Sequence, residues 1–173
     1  MAATIRIAEA GDAVPLAEFA ERAFREAFGP DNRPADLDGY VAGSYGPARQ
    51  AAELADPAIV TLLAEEGGAL TGFVQLRHGP APACVPGPAT IEIWRFYVDR
   101  RWQGRGLAGA LMDAALAAAR ARGGRLAWLA VWERNPRAQA FYRKCGFQVV
   151  GEQPFQLGAD RQRDLVMARA VEG

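Results

Sequence analysis

The sequence predicts a single domain of the α/β (α+β) class, in which helices cover both faces of a central mixed β-sheet. The chain has 173 residues, half of them hydrophobic, which is enough for one core. Apolar runs with strand periodicity alternate with helical stretches, in the order β-α-α-β-β-β-α-β-α-β-β. No internal repeat or long linker divides the chain. We therefore expect one domain over residues 1–173.

The first half of the chain leads up to the central strand of the predicted sheet. We expect a short strand at residues 4–8 and a first helix at 14–28. A second helical region follows at 35–45, with a further helical stretch at 47–54. The two strands of a hairpin come next, at 59–64 and 70–77. The first helix follows from an apolar stripe that includes Leu16, Phe19 and Phe24. The hairpin turns at Glu65-Glu66-Gly67-Gly68, where two glycines interrupt the strand pattern.

The second half supplies the central strand and the elements around it. Residues 78–90 are rich in proline and glycine, which indicates a loop. We then expect the central strand at residues 91–98, a helix at 106–122 and a strand at 126–132. A short helix at 136–145 and two strands, at 147–152 and 162–168, complete the chain. The alanine-rich helix ends at the Gly123-Gly124 pair.

The most informative segment is Gln103-Gly104-Arg105-Gly106-Leu107-Ala108, between the central strand and the alanine-rich helix. A glycine-rich turn at a helix start leaves several backbone N–H groups unpaired, and the helix dipole adds partial positive charge there. Glycine also lets an anion approach the amides closely. The turn therefore predicts a site for a phosphate or pyrophosphate, to which Arg105 adds a positive charge.

Two motifs compete for this turn. Gly104, Gly106 and Gly109 fit the spacing of the dinucleotide fingerprint, which needs a strand running directly into the first glycine. Here five residues separate the strand from the first glycine. The carboxylate at the end of the next strand, Glu133, is also too far from that glycine in sequence to hold a ribose. We therefore reject a dinucleotide site. Gln103, Gly106 and Ala108 instead match the [Gln/Arg]-x-x-Gly-x-[Gly/Ala] signature of acyl-CoA binding.

The residues after the next strand strengthen this signature. Asn135 is followed seven residues later by Tyr142, and the segment closes with Gly146-Phe147. In order and spacing these elements resemble the GNAT superfamily of acetyl-CoA-dependent N-acetyltransferases, most strongly over residues 91–150. The flanking segments Glu26-Ala27-Phe28-Gly29, Val131-Trp132-Glu133-Arg134-Asn135, Phe155-Gln156-Leu157-Gly158 and Asp164-Leu165-Val166-Met167 are similar to the PaiA-like polyamine acetyltransferase branch.

The resemblance implies acetyl-CoA as co-substrate and a set of residues that bind it. In the superfamily the central strand bulges and splays from the next strand, and its freed amides pair with pantetheine and polarise the thioester carbonyl. The implied cofactor-binding residues are Phe96, Tyr97, Val98, Gln103, Gly104, Arg105, Gly106, Leu107, Ala108, Asn135 and Tyr142. Asn135 is also a favourable helix N-cap before Pro136, and capping is compatible with a contact to CoA.

Acyl transfer to an amine needs a base, because an alkyl amine with a pKa near 10.4 is almost wholly protonated at neutral pH. Glu92 is the candidate, since it lies in the most apolar strand, where burial would raise its pKa. Its spacing from Gly106 also matches the catalytic glutamate of the histone acetyltransferase branch. The alternative is a carboxylate on a solvated sheet face. Ala130 occupies the position at which ribosomal-protein acetyltransferases carry their glutamate.

Tyr142 is the candidate acid that protonates the departing thiolate, as the resemblance implies for this position. Its alternative role is packing beside Phe141.

If the acceptor is a cationic polyamine, we expect carboxylates of the first helices and of their connection to hold it. The candidates are Glu26, Asp31, Asp36 and Asp38.

Composition excludes several other functions. With His78 as the only histidine and two cysteines, the chain has neither a zinc constellation nor a disulfide framework, so no metal is expected. Formal charge is zero and no apolar run could span a membrane, which argues against nucleic-acid and membrane partners. The N-terminus lacks the apolar core of a signal peptide, so a cytoplasmic location is expected. A homodimer is left open.

These observations predict an N-acetyltransferase that uses acetyl-CoA and acts on a small-molecule primary amine, with spermidine as an example. Two alternatives are a protein N-terminal or antibiotic acetyltransferase of the same fold, and a CoA-binding module without catalysis.

Overall fold

The computed structural model describes residues 2–172, which form seven strands and five helices. The strands are β1 (Thr4–Ile7), β2 (Ile59–Glu66), β3 (Ala69–Arg77), β4 (Thr90–Val98), β5 (Leu126–Trp132), β6 (Gln148–Leu157) and β7 (Asp160–Ala170). The helices are α1 (Ala13–Phe28), α2 (Pro34–Ser44), α3 (Pro47–Ala55), α4 (Leu107–Ala121) and α5 (Pro136–Lys144). Single 3₁₀ turns occur at Ala10–Asp12, Gly29–Asp31 and Arg100–Trp102.

All seven strands form one mixed sheet in the order β1-β2-β3-β4-β5-β7-β6. Among residues 2–172, β4 and β5 are the one parallel pair, joined by the α4 crossover, and every other neighbouring pair is antiparallel. The predicted class, a mixed sheet covered by helices, and the predicted succession of strands along the chain are thereby confirmed.

Two apolar clusters fix the helices to opposite faces of the sheet. On one face α4 buries Leu111 and Met112 against Val74 and Leu129. On the other face α1 buries Leu16 and Phe19 with Phe73 of β3. A smaller cluster around Trp128 lies under the 78–89 loop. The sheet, with β4 at its centre, therefore lies between two helical layers, which positions the cleft described below.

The second helical region consists of two helices, whereas the predicted order gave it one. Gly46 has extended backbone angles, φ −63° and ψ 154°, and Pro47 begins α3. A residue before proline is pushed out of the helical region, and proline is well suited to a first helical turn. The break therefore follows from the Gly46-Pro47 pair, and the further stretch predicted at 47–54 is a helix of its own.

The last hairpin is longer than the predicted strands, 147–152 and 162–168. β6 continues through Pro154 to Leu157 and turns at Gly158, whose φ is +58°. Proline normally interrupts a strand, but β6 is an edge strand that pairs only with β7, so a missing donor on the outer side is tolerated. This extension brings the hairpin tip to α2.

Candidate active site

A wedge-shaped opening separates β4 from β5. The two strands pair only over Thr90, Ile91 and Glu92 of β4, and then diverge. On its other edge β4 stays paired with β3 as far as Val98. Within the described residues, the β4 backbone from 93 to 98 therefore has no strand partner on the β5 side. The splay expected from the resemblance is present.

A β-bulge in β4 accompanies this divergence. Gln75 of β3 faces Arg95 and Leu76 faces Ile93, so Trp94 is the extra residue. Its indole lies against two guanidinium groups, with the Cζ of Arg77 at 3.9 Å and that of Arg95 at 3.7 Å from the ring centre. Bulges bend a strand and increase its twist, which directs the end of β4 away from β5.

The turn after β4 is held by its own side chains. Asp99 accepts hydrogen bonds from the Arg101 backbone N–H and guanidinium at 2.9 Å, and this bonding lowers the pKa of Asp99. The Gln103 amide donates to the Val98 carbonyl at 3.1 Å, which ties the turn to the strand end. Gly104 and Gly106 have φ of +78° and +83°, a region that favours glycine.

The start of α4 is open. Its N-cap residue, Gly106, has no side chain to bond the first turn, and the first bond across the cap runs from the Ala110 N–H to the Gly106 carbonyl at 3.1 Å. The backbone N–H groups of residues 107–109 therefore have no hydrogen-bond acceptor within the helix. Arg105 is exposed beside them. This arrangement suits an anionic ligand such as a pyrophosphate.

Asn135 caps α5, as its position before Pro136 predicted. Its Oδ1 accepts from the Ala138 N–H at 3.1 Å, and the side chain also lines the cleft. The cap occupies the oxygen and leaves the Nδ2 donors for another contact. Capping and ligand contact are therefore compatible in this geometry.

We expect Asn135→Ala to destabilise the domain by about 1 kcal/mol, because loss of an N-cap typically costs about 0.5–2 kcal/mol. Asn135→Asp should keep the cap and the stability but remove the donor. Urea denaturation of both variants measures the stability difference. Titration with CoA measures how much the Nδ2 donor contributes to CoA affinity. Equal unfolding free energies for the Ala and Asp variants would show that the cap contributes nothing.

Tyr142 lies on α5 beside the opening. Its ring contacts Phe96 of β4 and Phe147 with ring centres 6.2 and 6.1 Å apart, and its hydroxyl bonds to no described residue. Burial raises the pKa of Tyr142 well above its usual range. The ring therefore packs while the hydroxyl stays protonated beside the cleft, and the role of Tyr142 as acid stays a prediction.

One cavity of about 600 Å³ joins the two sides of the sheet through this opening. On the α4–α5 side it is lined by Gln103, Gly104, Ala108, Asn135, Ala138, Phe141 and Tyr142, with Phe96, Tyr97 and Val98 of β4 between. On the α1–α2 side aromatic rings predominate: Phe24, Phe28, Tyr40, Tyr45, Trp132 and Phe155. The predicted turn, strand and helix residues thus converge on a single cleft.

Residues 16–147 match the family model described as "Acetyltransferase (GNAT) family". The chain belongs to this family. An uncharacterized N-acetyltransferase of Mycobacterium tuberculosis is 35% identical over 160 residues, which cover 92% of this chain and 98% of that protein. The N-alpha-acetyltransferase RimI of the same species is 37% identical over 108 residues, which cover 62% and 63% of the two chains.

Among solved structures, the PaiA N-acetyltransferase of Thermoplasma acidophilum, in complex with coenzyme A, has the same fold. It superposes with a TM-score of 0.79 at 20% identity, covering 98% of this chain and 99% of that chain. Together with the family model and the 35% identical N-acetyltransferase relative, this makes the chain an acetyl-CoA-dependent acetyltransferase. Among residues 2–172 no His, Cys, Asp or Glu cluster could hold a metal ion, and no helix is long and apolar enough to cross a membrane.

Glu92 is buried, with 9% of its surface exposed, so it does not lie on a solvated sheet face. It lines the cleft, where its Oε2 accepts from Arg77 Nε at 2.5 Å. This charge partner could not be read from the sequence, because the bulge sets the register of β3 and β4. The role of Glu92 as base stays a prediction.

The four carboxylates predicted to hold the acceptor are not brought together. Glu26 lines the cleft, and Asp31 lies at a separate surface depression by the last hairpin. Asp38 pairs with Arg25 at 2.7 Å. Asp36 pairs with Arg33 at 2.8 Å and accepts from the Ala159 N–H at 3.1 Å. Only Glu26 of this set is therefore placed to meet an acceptor directly.

Sequence reasoning missed one carboxylate of the cleft. Asp164 lies on β7 with 7% of its surface exposed and lines the α1–α2 side of the cavity. The sequence signal was available, because Asp164 interrupts an apolar strand, but only its partners in the sheet show where it lies.

Proposed function

We propose that this chain transfers the acetyl group of acetyl-CoA to the primary amine of a small molecule, and that this molecule is a polyamine such as spermidine. The 103–108 turn binds the pyrophosphate through backbone amides, with Arg105 adding charge. The open edge of β4 at Phe96, Tyr97 and Val98 pairs with pantetheine and polarises the carbonyl. Asn135 contacts CoA, and Tyr142 protonates the departing sulfur.

The closed acceptor side of the cleft supports a small acceptor. The last hairpin reaches across to α2 and the turn before it, where the Asp36 carboxylate accepts from the Ala159 N–H at 3.1 Å. The Gln162 amide donates to Asn32 Oδ1 at 2.6 Å, and the rings of Tyr40 and Phe155 meet with centres 5.4 Å apart. A polypeptide passing across the cleft would have to break this bridge, whereas a small amine would not.

Aromatic walls support a cationic acceptor. The rings of Phe24, Phe28, Tyr40 and Trp132 line this side of the cavity. Phe24 stacks on Tyr40 with ring centres 4.7 Å apart, and Phe28 packs on Trp132 at 5.7 Å, so these contacts hold the rings in place. Aromatic faces attract ammonium groups, and the attraction increases when water is excluded. A carboxylate at the end of such a space completes a site for an alkylammonium.

A protein N-terminus is the second candidate, because the RimI relative is named for N-alpha-acetylation. Ala130 argues against that variant, since it replaces the glutamate that the resemblance to ribosomal-protein acetyltransferases would require. Acetyl-CoA consumption with a panel of polyamines, N-terminal peptides, lysine peptides and aminoglycosides separates the candidates. Binding of CoA without turnover of any amine would instead indicate a binding module.

We expect spermidine to be acetylated with a KM that rises as salt is added. A chain with zero formal charge has no long-range attraction for a polycation, so recognition depends on local charges such as Glu26. Partly exposed pairs weaken as the Debye length falls to about 8 Å near 0.15 M salt. The control is Glu18→Gln, at an exposed position on α1, which should not alter the salt slope. No spermidine turnover, or a KM indifferent to salt, would contradict the polyamine assignment.

A further inference from the structure

One buried carboxylate of the cavity has no protein partner. Asp164 is 7% exposed and forms no hydrogen bond or ion pair with any described residue, although it lies between two strands. The sheet register places it opposite Trp132 of β5 and Gln153 of β6. No fully buried side-chain oxygen of the described residues lacks a hydrogen-bond partner, so the Asp164 carboxylate reaches the open space of the cavity, where a ligand can contact it.

Its orientation follows from its neighbours. Directly opposed residues of an antiparallel pair point to the same face, and the Trp132 ring packs on Phe28 of α1 at 5.7 Å. Asp164 therefore points to the α1–α2 side, into the aromatic half of the cavity. Tyr142 packs with the α4-side core on the other face. The two groups reach the same cavity from opposite sides of the β4–β5 opening.

No cationic group of the described residues forms an ion pair with Asp164. The other ionisable groups that line the cavity are Glu26, Tyr40, Tyr45, Arg77, Glu92, Arg95, Tyr97, Arg100, Arg137 and Tyr142. The two arginines of the sheet are already engaged: Arg77 bonds Glu92 at 2.5 Å and Arg95 bonds Glu53 at 2.6 Å.

Just outside the cavity, at the end of β5, Glu133 adds a negative charge near Asp164, although it is itself bonded to Arg163 at 2.6 Å. Burial, reinforced by Glu133, raises the pKa of Asp164 to about 6. A carboxylate with this pKa is ionised at neutral pH and can still hold a proton briefly, which suits a general base.

We propose that Asp164 is the base that takes the proton from the acceptor ammonium, an assignment that rests on the proposed function. The ammonium N–H bond breaks and its proton passes to Asp164. The nitrogen lone pair then attacks the acetyl carbonyl carbon, an N–C bond forms and the C–S bond breaks. The sulfur takes a proton from Tyr142, which is restored by the second proton that leaves the nitrogen. Asp164 finally releases its proton to water, so the products are an amide, a thiol and one proton.

Asp164→Asn keeps the size of the side chain and removes the base. With the amine that the panel identifies, the wild-type kcat/KM should be high above about pH 6 and fall below it, because the carboxylate must be unprotonated. The Asn variant should lose about 100-fold at neutral pH. Its deficit should shrink at higher pH, because the free-amine fraction rises about tenfold per pH unit towards a pKa near 10.4. Acetyl-CoA affinity should not change.

Two variants provide controls. Glu133→Gln removes the neighbouring negative charge and should keep the activity while moving the acidic limb to lower pH. Glu92→Gln tests the alternative base, and we expect it to retain the wild-type shape of the pH profile. An equal loss at every pH in Asp164→Asn would indicate a merely structural role. The proposal would also be overturned if Glu92→Gln, and not Asp164→Asn, showed the loss of activity that shrinks at higher pH.

A titration separates failure of this proposal from failure of the proposed function. Carboxyl-carbon NMR of the wild-type protein should show one aspartate with a midpoint near 6, and the signal should be missing in Asp164→Asn. If no amine of the panel is acetylated, the proposed function fails but the titration still decides whether Asp164 can hold the proton. A midpoint near the ordinary value of about 3.9 would overturn the assignment.

Discussion

Gly106→Glu is expected to abolish the binding of CoA while the domain remains folded. A Cβ at this position meets no atom within 4 Å, so the protein itself has room for the side chain. The added carboxylate would lie at the open start of α4, where it repels a pyrophosphate and competes for the same N–H groups. Calorimetric titration with CoA measures the loss, and thermal unfolding checks the fold.

The matched control is Gly123→Glu, at the other end of the same helix. Gly123 also has a positive φ, +78°, and open space around a Cβ, so it carries the same backbone strain and the same new charge. A left-handed non-glycine residue costs about 1–2 kcal/mol, and both variants should lose about that much stability. Only Gly106→Glu should lose CoA. Unchanged affinity in that variant would place the CoA site elsewhere.

The fold was predictable because its signals are local. The Gln103 to Ala108 turn, the N-cap at Asn135 and the periodicity of the strands each depend on neighbours within a few residues. The errors have local causes as well. Pro47 can begin a helix as readily as end one, and Pro154 is tolerated because the sheet order leaves β6 at an edge.

Residues that line the cleft could be predicted only where they belong to a motif contiguous in sequence, and their roles stay predictions. Gly106 and Tyr142 belong to motifs whose spacing carries the signal. Asp164 acquires its position from the pairing of β7 with β5 and β6, which join segments far apart in the chain. The pairing of Arg77 with Glu92 likewise depends on the Trp94 bulge. Burial and the lack of a partner are properties of the assembled sheet, so no local pattern reports them.

Tyr142→Phe should lower kcat by about 10² to 10⁴-fold with little change in acetyl-CoA affinity. The ring contacts with Phe96 and Phe147 would remain, because only the hydroxyl is removed. Burial keeps the pKa of Tyr142 above its usual range, so the wild-type hydroxyl is protonated throughout the assay range and can act only as a donor. Its ionisation should therefore cause no fall in activity at moderately alkaline pH.

The pH dependence of this deficit distinguishes a proton donor from a packing residue. An alkyl thiol with a pKa near 8.5 leaves as a stable thiolate in alkaline solution, where a proton donor becomes less important. The loss in Tyr142→Phe should therefore be greatest below about pH 8 and shrink above it. Tyr40→Phe removes a hydroxyl from the acceptor side of the same cavity and should alter the amine KM rather than kcat. Full activity of Tyr142→Phe at neutral pH would reduce Tyr142 to a packing residue, and the sulfur would then take its proton from the attacking nitrogen.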